Sequence, residues 1–320
     1  MFNLQCSMAD VQVVGLGQAC MDYLGQIPAY PDEDGKIQFD ALHMQCGGPA
    51  STAMVTLSRL GIPTSFLGAV SDDVFGKEIV RNLEHECVDI SFLKITPGYN
   101  SQFAFIAITA DSGKRTIFWH RGTVPVLTPA HVDLTPFAHA RVLHLDNLMM
   151  EASMAAAAQA RARGMIVVMD AGTLRNGSRE LCAHVDVLIA SRAFAYALSP
   201  LKKGPEAALR SLQALGPQQA VITLGPRGSI GRVRHETIQQ PAFQVKTMDT
   251  TGAGDVYHGA YIYGLLQNWD MPRCMRFASA AAALKCTRIG AQAGIPLLDE
   301  VEKLIKGQTT DDTDFTNRNM

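Results

Sequence analysis

One segment late in the chain, Asp249-Thr250-Thr251-Gly252-Ala253-Gly254-Asp255, constrains the fold more than any other part of the sequence. It places three small residues and a carboxylate before an apolar stretch in which Val256, Ala260 and Tyr263 recur at helical spacing. The pattern predicts a helix over residues 255–268. Glycines let a ligand approach the backbone, and the unpaired amides and dipole of a helix N-terminus bind anions. The segment therefore predicts an anion-binding site.

Asp255 can be interpreted in two ways. An aspartate near a helix start often only caps the helix, which stabilises it by about 1 kcal/mol. This segment, however, holds two aspartates, two threonines and two glycines, which is more polar and more flexible than a cap requires. We therefore interpret it as a phosphoryl-transfer site with Asp255 as the general base for a hydroxyl, kept ionised by the helix N-terminus. The amides of Gly252, Ala253 and Gly254 would support the transferred group.

The segment resembles the C-terminal signature Asp-Thr-x-Gly-Ala-Gly-Asp of the ribokinase-like (PfkB) carbohydrate kinases. A second block, Gln45-Cys46-Gly47-Gly48-Pro49-Ala50-Ser51-Thr52-Ala53, is similar to their N-terminal Gly-Gly signature, and residues 221–225 and 277–290 extend the similarity over nearly the whole chain. The resemblance implies an ATP-dependent sugar kinase. It also implies an α/β, ribokinase-like three-layer fold, with a mostly parallel central sheet flanked by helices and a small β-strand lid. Residues 283–288 and 293–296 are similar to the sulfofructose kinase branch.

The resemblance also points to residues that would contact the sugar. One more candidate follows from its position at the end of a predicted strand, because strand ends in α/β sheets line ligand-binding crevices. These candidates are Asp22, Gly47, Gly48, Thr52 and Asp146. Each has an alternative: Asp22 as a surface-loop residue, the glycine pair as a turn leading into a helix at Pro49, and Asp146 with Asn147 as a strand-end cap. The family commonly has lysine where this chain has Pro49, and often asparagine at the position of Thr52. The sugar and the acceptor hydroxyl therefore stay open.

For ATP, the resemblance points to a glycine-containing turn and to the helix that follows it. The candidate residues are Thr223, Gly225, Gly228, Ser279 and Ala283. A strand-to-hairpin turn would use similar glycines, and an alanine-rich helix can serve for packing alone. Both alternatives stay open.

Two kinds of metal ion are implied by the resemblance. Family members often hold potassium beside the anion site, and the similar positions here are Asp249, Thr251, Arg288 and Gly290, so we expect stimulation by potassium. Magnesium should arrive with ATP through few protein ligands. The family's Asn-x-x-Glu is replaced here by Ser191-Arg192-Ala193-Phe194, and Asp170 is a candidate substitute.

Alternating strand and helix patterns favour a mostly parallel sheet covered on both faces. Predicted strands cover residues 11–16, 64–70, 142–145, 165–169, 187–190 and 220–224, and predicted helices cover 50–60 and 151–163. Half-buried antiparallel strands are predicted near Ile37 to Leu42, Gln102 to Thr109 and Arg115 to His120, the last two joined by a turn at residues 111–114. We divide the chain into an extension (1–10), a kinase domain (11–306, lid strands within about 19–46 and 100–121) and a polar disordered tail (307–320).

Composition excludes several other classes of protein. A net charge of -2 does not provide the excess positive charge that binding to nucleic acid or an anionic membrane requires. No apolar run is long enough to span a bilayer. Seven scattered cysteines without Cys-x-x-Cys spacing and an amino end without a signal-peptide pattern fit a reducing cytoplasm.

Lids in the resembled family often pair between subunits, so we expect a homodimer. His120 and Arg121 would reach an anionic substituent of the substrate from the lid, or form an exposed basic hairpin end.

Three rival functions were weighed against the kinase. A Rossmann dehydrogenase is disfavoured because Cys20 replaces the third glycine of the pattern that begins Gly15-Leu16-Gly17, and a P-loop kinase because no Walker A lysine motif occurs. A sugar sensor of the same fold, without turnover, is the main alternative because Asn-x-x-Glu is missing. Retention of Asp255 argues against it, since a sensor needs no base.

Overall fold

The computed structural model describes residues 10–39, 41–110, 115–199 and 204–316, with side chains described up to residue 307. Its main feature is a nine-stranded sheet in the order β15-β14-β13-β12-β11-β10-β1-β4-β6, numbered in chain order. These strands are β1 (Val13–Leu16), β4 (Thr64–Leu67), β6 (Val88–Asp89), β10 (Val142–Leu145), β11 (Ile166–Ala171), β12 (Val187–Ser191), β13 (Gln219–Thr223), β14 (Ser229–Val233) and β15 (Glu236–Gln240). Strands β13 through β6 in this order pair in parallel, and β14 and β15 add an antiparallel edge.

Helices cover both faces of this sheet, because both faces of its strands are apolar. The helices are α1 (Pro49–Arg59), α2 (Val74–His85), α3 (Met150–Ala162), α4 (Ser178–Cys182), α5 (Arg192–Leu198), α6 (Pro205–Gln213), α7 (Ala253–Leu266), α8 (Met271–Lys285) and α9 (Leu298–Thr316). Val13 and Val142 pack with residues of α1, α7 and α8 in one core cluster, whereas Val14 and Leu143 pack with residues of α3 and α6 in another. The predicted three-layer α/β fold is confirmed.

A separate four-stranded sheet lies beside the carboxyl end of β1. Its order is β3-β2-β8-β9, and its strands are β2 (Cys20–Ile27), β3 (Leu42–Gly47), β8 (Phe103–Thr109) and β9 (Arg115–His120). β2 runs parallel to β8, while the two outer pairs are antiparallel. We call this sheet the lid. The turn predicted at residues 111–114 lies outside the described residues.

Two predictions of local structure are corrected. The first lid strand is Leu42–Gly47 and not residues 37–42, because β2 pairs with it from Cys20↔Gly47 to Gly25↔Leu42. The strand predicted over residues 64–70 divides into β4 and a short β5 (Ala69–Val70), because β5 pairs instead with β7 (Lys94–Ile95).

The last helix is anchored against the core by Val301 and Leu304, and its backbone is helical as far as Thr316. The division of the chain into an extension, a kinase domain and a disordered tail stays a prediction.

Within the described ranges, no helix has the length and apolar character needed to cross a bilayer.

Candidate active site

The site is built around the amino end of α7, which begins at Ala253, two residues before the predicted start. Gly252 precedes it with φ 74°, a left-handed conformation that favours glycine, and a Cβ there would lie 2.7 Å from the Cβ of Ala291. A Cβ on Gly254, in contrast, would meet no protein atom within 4 Å. Backbone amides in the first turn of a helix lack partners within that helix. The first turn of α7 therefore presents an open, amide-lined surface.

Asp255 lies in this first turn, and its side chain is partly exposed. Burial of the carboxyl and the nearby Asp170 carboxylate raise its pKa to about 7, although His258 and Arg115 oppose the shift. Burial and the like charge of Asp170 thus oppose the ionisation that the sequence analysis expects from the helix N-terminus. A carboxyl with a pKa near 7 suits a general base at neutral pH.

His258 connects Asp170 to the first turn of α7, a role that the sequence did not suggest. Its Nδ1 lies 2.6 Å from the carbonyl oxygen of Gly254, and its Nε2 lies 3.2 Å from the carbonyl oxygen of Ile189. The same Nε2 is 3.6 Å from Asp170 Oδ1. Both side chains are nearly fully buried. The pair therefore fixes Gly254 and Asp255 relative to the ends of β11 and β12.

Asp22 lies on the lid and faces the same region. It is buried in β2, so it is not a surface-loop residue, and Cys20 Sγ donates a hydrogen bond of 3.1 Å to its Oδ1. A Cβ on Gly47, the neighbouring residue of β3, would collide with the Asp22 carboxylate. Burial raises the pKa of Asp22 to about 6, and its charge in turn helps to raise the pKa of Asp255. Asp22 and Asp255 therefore share one electrostatic environment.

Gly48 lacks space for a side chain for a different reason from Gly47. It is the residue before α1, with φ 103°, and a Cβ there would collide with the carbonyl oxygen of Gln18. The glycine pair thus makes room for Asp22 and forms the turn into the helix, and its contact with a sugar stays a prediction.

Two further sugar candidates make hydrogen bonds within the protein. Asp146 Oδ2 accepts from the Gln18 amide at 2.6 Å and Oδ1 accepts from the Leu148 amide at 3.1 Å, while burial raises its pKa to about 7. Thr52 is fully buried, and its Oγ1 accepts from Gln292 Nε2 at 3.4 Å. These hydrogen bonds suit a strand-end cap at Asp146, and the sugar contacts of Asp146 and Thr52 stay predictions.

The predicted nucleotide turn is compact and partly open. The Leu224 amide donates to the Gly228 carbonyl at 2.8 Å, and the Gly228 amide donates to the Gly225 carbonyl at 2.9 Å. A Cβ on Gly225 would meet no atom within 4 Å, whereas one on Gly228 would collide with the carbonyl oxygen of Gln240. The strand residue Thr223 donates from Oγ1 to the carbonyl of Ala190. Gly225 thus leaves space for a ligand, and Gly228 allows close backbone packing.

On α8, the other two nucleotide candidates lie on the side that faces Pro241. Ser279 is buried, with Oγ 3.5 Å from the Pro241 carbonyl oxygen, and Ala283 is half-buried. The role of both residues as a wall for the adenine stays a prediction.

The lid also contributes a basic residue that the sequence analysis missed. Arg115 Nη1, at the start of β9, donates to Thr250 Oγ1 at 2.6 Å, which brings its charge over the loop before α7. His120 is exposed, and its Nδ1 accepts from the Gly122 amide at 3.0 Å. Arg121 borders a small cavity of about 40 Å³ together with Gln18 and Gln102. Of these three residues, Arg115 comes closest to the anion-binding loop.

Three of the four predicted cation-site residues come together. Asp249 is fully buried; its Oδ1 accepts from the Thr251 amide at 2.8 Å and its Oδ2 accepts from the Gly290 amide at 2.8 Å. Arg288 instead forms an exposed ion pair with Glu300 at 2.6 Å. Lys285, which the sequence analysis did not assign to the site, donates from Nζ to the Asp249 carbonyl at 2.8 Å.

Ser191, at the position of the missing Asn-x-x-Glu, caps α5 by accepting from the Phe194 amide at 3.0 Å. Across the described ranges, no cluster of three or more His, Cys, Asp or Glu side chains is arranged to hold a metal ion. Asp170 is buried, and its charge acts on Asp255.

A cavity of about 330 Å³ lies elsewhere in the molecule. It opens at the amino ends of β11, β12 and β13 and is bordered by Arg161, Asp186 and Gln218. None of the aspartates discussed above lines it, and ligands of parallel α/β sheets bind at the carboxyl ends of the strands. We therefore place the active site at the amino end of α7.

Comparison with known proteins identifies the family of the chain. A profile described as pfkB family carbohydrate kinase matches residues 11–298. The chain is 26% identical to a ribokinase of Staphylococcus aureus, over 92% of this chain and 99% of the relative. It is 25% identical to a deoxyribokinase of Salmonella typhi, over 92% and 98%. A crystal structure of a putative ribokinase from Agrobacterium tumefaciens superposes with a TM-score of 0.85 at 26% identity, covering 94% and 99%.

Proposed function

Because the chain belongs to the pfkB family of carbohydrate kinases, we propose that it transfers the γ-phosphoryl group of ATP to a hydroxyl of a small sugar, with Asp255 as the general base. The observation that carries this proposal is the first turn of α7. It combines a carboxyl of pKa about 7 with an amide-lined surface that is open at Gly254. The charge of Asp22, on the lid, acts on the same carboxyl.

The proposed mechanism assigns separate tasks to the chain's own residues. Asp22 and the lid hold the sugar so that one hydroxyl reaches Asp255, which takes its proton as the oxygen becomes a nucleophile. The amides at the start of α7 support the negative charge of the transferred group. Arg115 lies close enough to this loop to add a positive charge from the lid. Water is excluded when the lid covers the sugar.

The chain has features that fit ATP and magnesium. The space around Gly225 and Gly254 admits phosphates close to the backbone. Burial raises the pKa of Asp170 because it disfavours an unpaired negative charge, so a nearby magnesium ion would stabilise the ionised carboxylate. When bound, ATP supplies the phosphoryl group and Mg²⁺ neutralises part of its charge. The phosphates would bind the α7 amides, with Asp170 near the metal ion.

We also propose that the protein is cytoplasmic, because its seven cysteines are scattered and lack Cys-x-x-Cys spacing.

A sugar sensor without turnover remains the second candidate function. The observation that favours it is Ser191, which is used as a helix cap at the position where the family commonly has a residue that helps to bind magnesium. A sensor and a kinase would both bind sugar and nucleotide, and only the kinase would release ADP.

A two-step experiment tests the proposal. A thermal-shift screen of neutral and anionic sugars, with a non-hydrolysable ATP analogue, identifies ligands that raise Tm. ADP release is then measured with each of these sugars and MgATP. We expect sugar-dependent ADP release with at least one of them. Binding of sugar and nucleotide without ADP release would support the sensor and contradict the kinase.

The pKa of Asp255 predicts how the rate depends on pH. Only the ionised carboxylate accepts a proton, and burial raises its pKa to about 7. We therefore expect kcat/KM for the sugar to level off above about pH 7 and to fall about tenfold per pH unit well below it. A rate profile from about pH 5.5 to about pH 8.5 at saturating MgATP measures this. A flat profile down to the acid end would contradict the role of Asp255 as the base.

The lid predicts how the protein assembles. Its outer strands expose large apolar side chains, among them Met44 (61% exposed), Phe118 (56%) and Trp119 (58%). Exposed apolar clusters and unpaired strand edges are typical of interfaces. We propose that two lids pair to form a homodimer, and we expect Trp119→Asp to dissociate it.

Light scattering at micromolar concentration checks this assembly. The control is Leu297→Asp, because Leu297 is similarly exposed (53%) but lies outside the lid. We expect the control to remain dimeric. A monomeric wild type, or a dimer that Leu297→Asp dissociates while Trp119→Asp leaves it intact, would contradict pairing through the lid.

A further inference from the structure

Lys285 is an unusual feature of the site, because its side chain is fully buried. Lysine is almost never fully buried unless it is paired. Here the ammonium donates to the carbonyl oxygen of Asp249 at 2.8 Å and lies 3.8 Å from Asp249 Oδ2. Burial lowers the pKa of Lys285, and the Asp249 carboxylate opposes this shift. The charge is thus held by one residue of the loop that leads into α7.

This loop is organised around Asp249. Its carboxylate accepts from Thr251 Oγ1 at 2.7 Å, in addition to the amides of Thr251 and Gly290. Gly294 closes the region from the other side: a Cβ there would lie 3.2 Å from both the Gly290 carbonyl oxygen and Lys285 Cε. The carbonyl oxygen and Oδ2 of Asp249 therefore both lie near the end of the Lys285 side chain.

These are the residues on which the family resemblance predicts a potassium ion. Asp249, Thr251 and Gly290 are in place, but the Asp249 carbonyl already accepts from the ammonium of Lys285. A second cation on the same oxygens would lie beside a like charge in a buried environment, which disfavours its binding. The residues present therefore do not fit a potassium ion in addition to Lys285.

We propose that the ammonium of Lys285 is the built-in cation of this loop and that it replaces the monovalent metal ion, so that the protein requires no potassium. This inference rests on the proposed kinase function. Lys285 is a positioning residue: it holds the Asp249 carbonyl, and the loop from Asp249 to Thr251 leads directly into the amides of the anion site. A covalently attached cation would keep this loop ordered whatever salt is present.

The first arm of the test uses the wild-type protein. Tm and the rate of sugar-dependent ADP release are measured in the chlorides of potassium, sodium and tetramethylammonium at equal ionic strength. We expect Tm and rate to be the same in all three salts. A cation that binds the folded state would raise Tm, so a Tm increase or a rate increase specific to potassium would overturn the proposal.

The second arm removes the ammonium with Lys285→Ala, which leaves a space beside the Asp249 oxygens. We expect lower activity and lower Tm in tetramethylammonium, and recovery of both when potassium is added. Lys303→Ala, at an exposed lysine (side chain 77% exposed) in α9, is the control and should respond to no salt. Failure of potassium to raise Tm of folded Lys285→Ala would contradict the inference.

The two arms separate this inference from the proposed function. If Lys285→Ala does not fold, the comparison of Tm and rate between salts for the wild-type protein still tests whether potassium is required. If no sugar supports ADP release, the kinase proposal fails, while the comparison of Tm between salts continues to test Lys285.

Discussion

Replacing Asp255 by asparagine is expected to lower kcat by at least about a hundredfold, the low end of what general acid-base catalysis contributes. Asparagine nearly preserves the size of the side chain and cannot accept the proton of the sugar hydroxyl. Because the helix amides remain, the affinity for a non-hydrolysable ATP analogue should stay nearly unchanged. Steady-state ADP release and calorimetric titration of the analogue measure the two quantities. An asparagine variant with wild-type kcat would rule out Asp255 as the base.

A matched control for this substitution is Asp270→Asn. Asp270 also lies at the start of a helix, where its side chain accepts from the Arg273 amide at 3.0 Å and caps α8. Asparagine is as good a cap as aspartate, so Asp270→Asn should change neither kcat nor Tm appreciably. A comparable loss of activity in both variants would point to a general effect of removing helix-terminal charge.

Replacing Gly47 by alanine is expected to lower kcat/KM for the sugar by about a hundredfold, the loss that a small displacement of a positioning group can cause. The added Cβ would collide with the Asp22 carboxylate, so this side chain must move away from the sugar. Gly47 does not have a positive φ, so the expected effect comes from lost space and not from backbone strain. KM for the sugar should rise while affinity for the ATP analogue stays the same.

Two further variants sharpen the test of Gly47. Gly307→Ala adds a Cβ that would meet no atom within 4 Å, and it should leave kcat/KM unchanged. Asp22→Ala should lose a similar amount of activity to Gly47→Ala, and the double variant should lose little more, because residues that act through one contact are not additive. Fully additive losses would show that Gly47 acts without Asp22.

The sequence predicts most strands and helices of this molecule well, because they depend on local patterns. The apolar run of β10 and the glycine-rich start of α7 carry their signals within a few residues, and both elements lie within about two residues of the prediction. The first lid strand was misplaced because its alternating pattern extends over residues 37–42, whereas pairing with β2 selects Leu42–Gly47.

The electrostatics of the site could not be predicted from the sequence, because they depend on residues far apart in the chain. Asp170 and Asp255 become neighbours only when β11 and α7 pack together, and the Asp170 carboxylate then adds to the effect of burial on the pKa of Asp255. The contact of Arg115 with Thr250 spans 135 positions. Lys285 lies inside a stretch that the resemblance covers, but its burial on Asp249 follows only from the fold.

Phosphorus NMR of the wild-type protein with MgATP and a sugar that raises its Tm tests most directly whether Asp255 and the α7 amides transfer phosphate. We expect a sugar phosphomonoester signal that grows in step with ADP, and almost none from Asp255→Asn over the same time. Binding of ATP and sugar without a phosphomonoester, or its formation by Asp255→Asn at the wild-type rate, would contradict this.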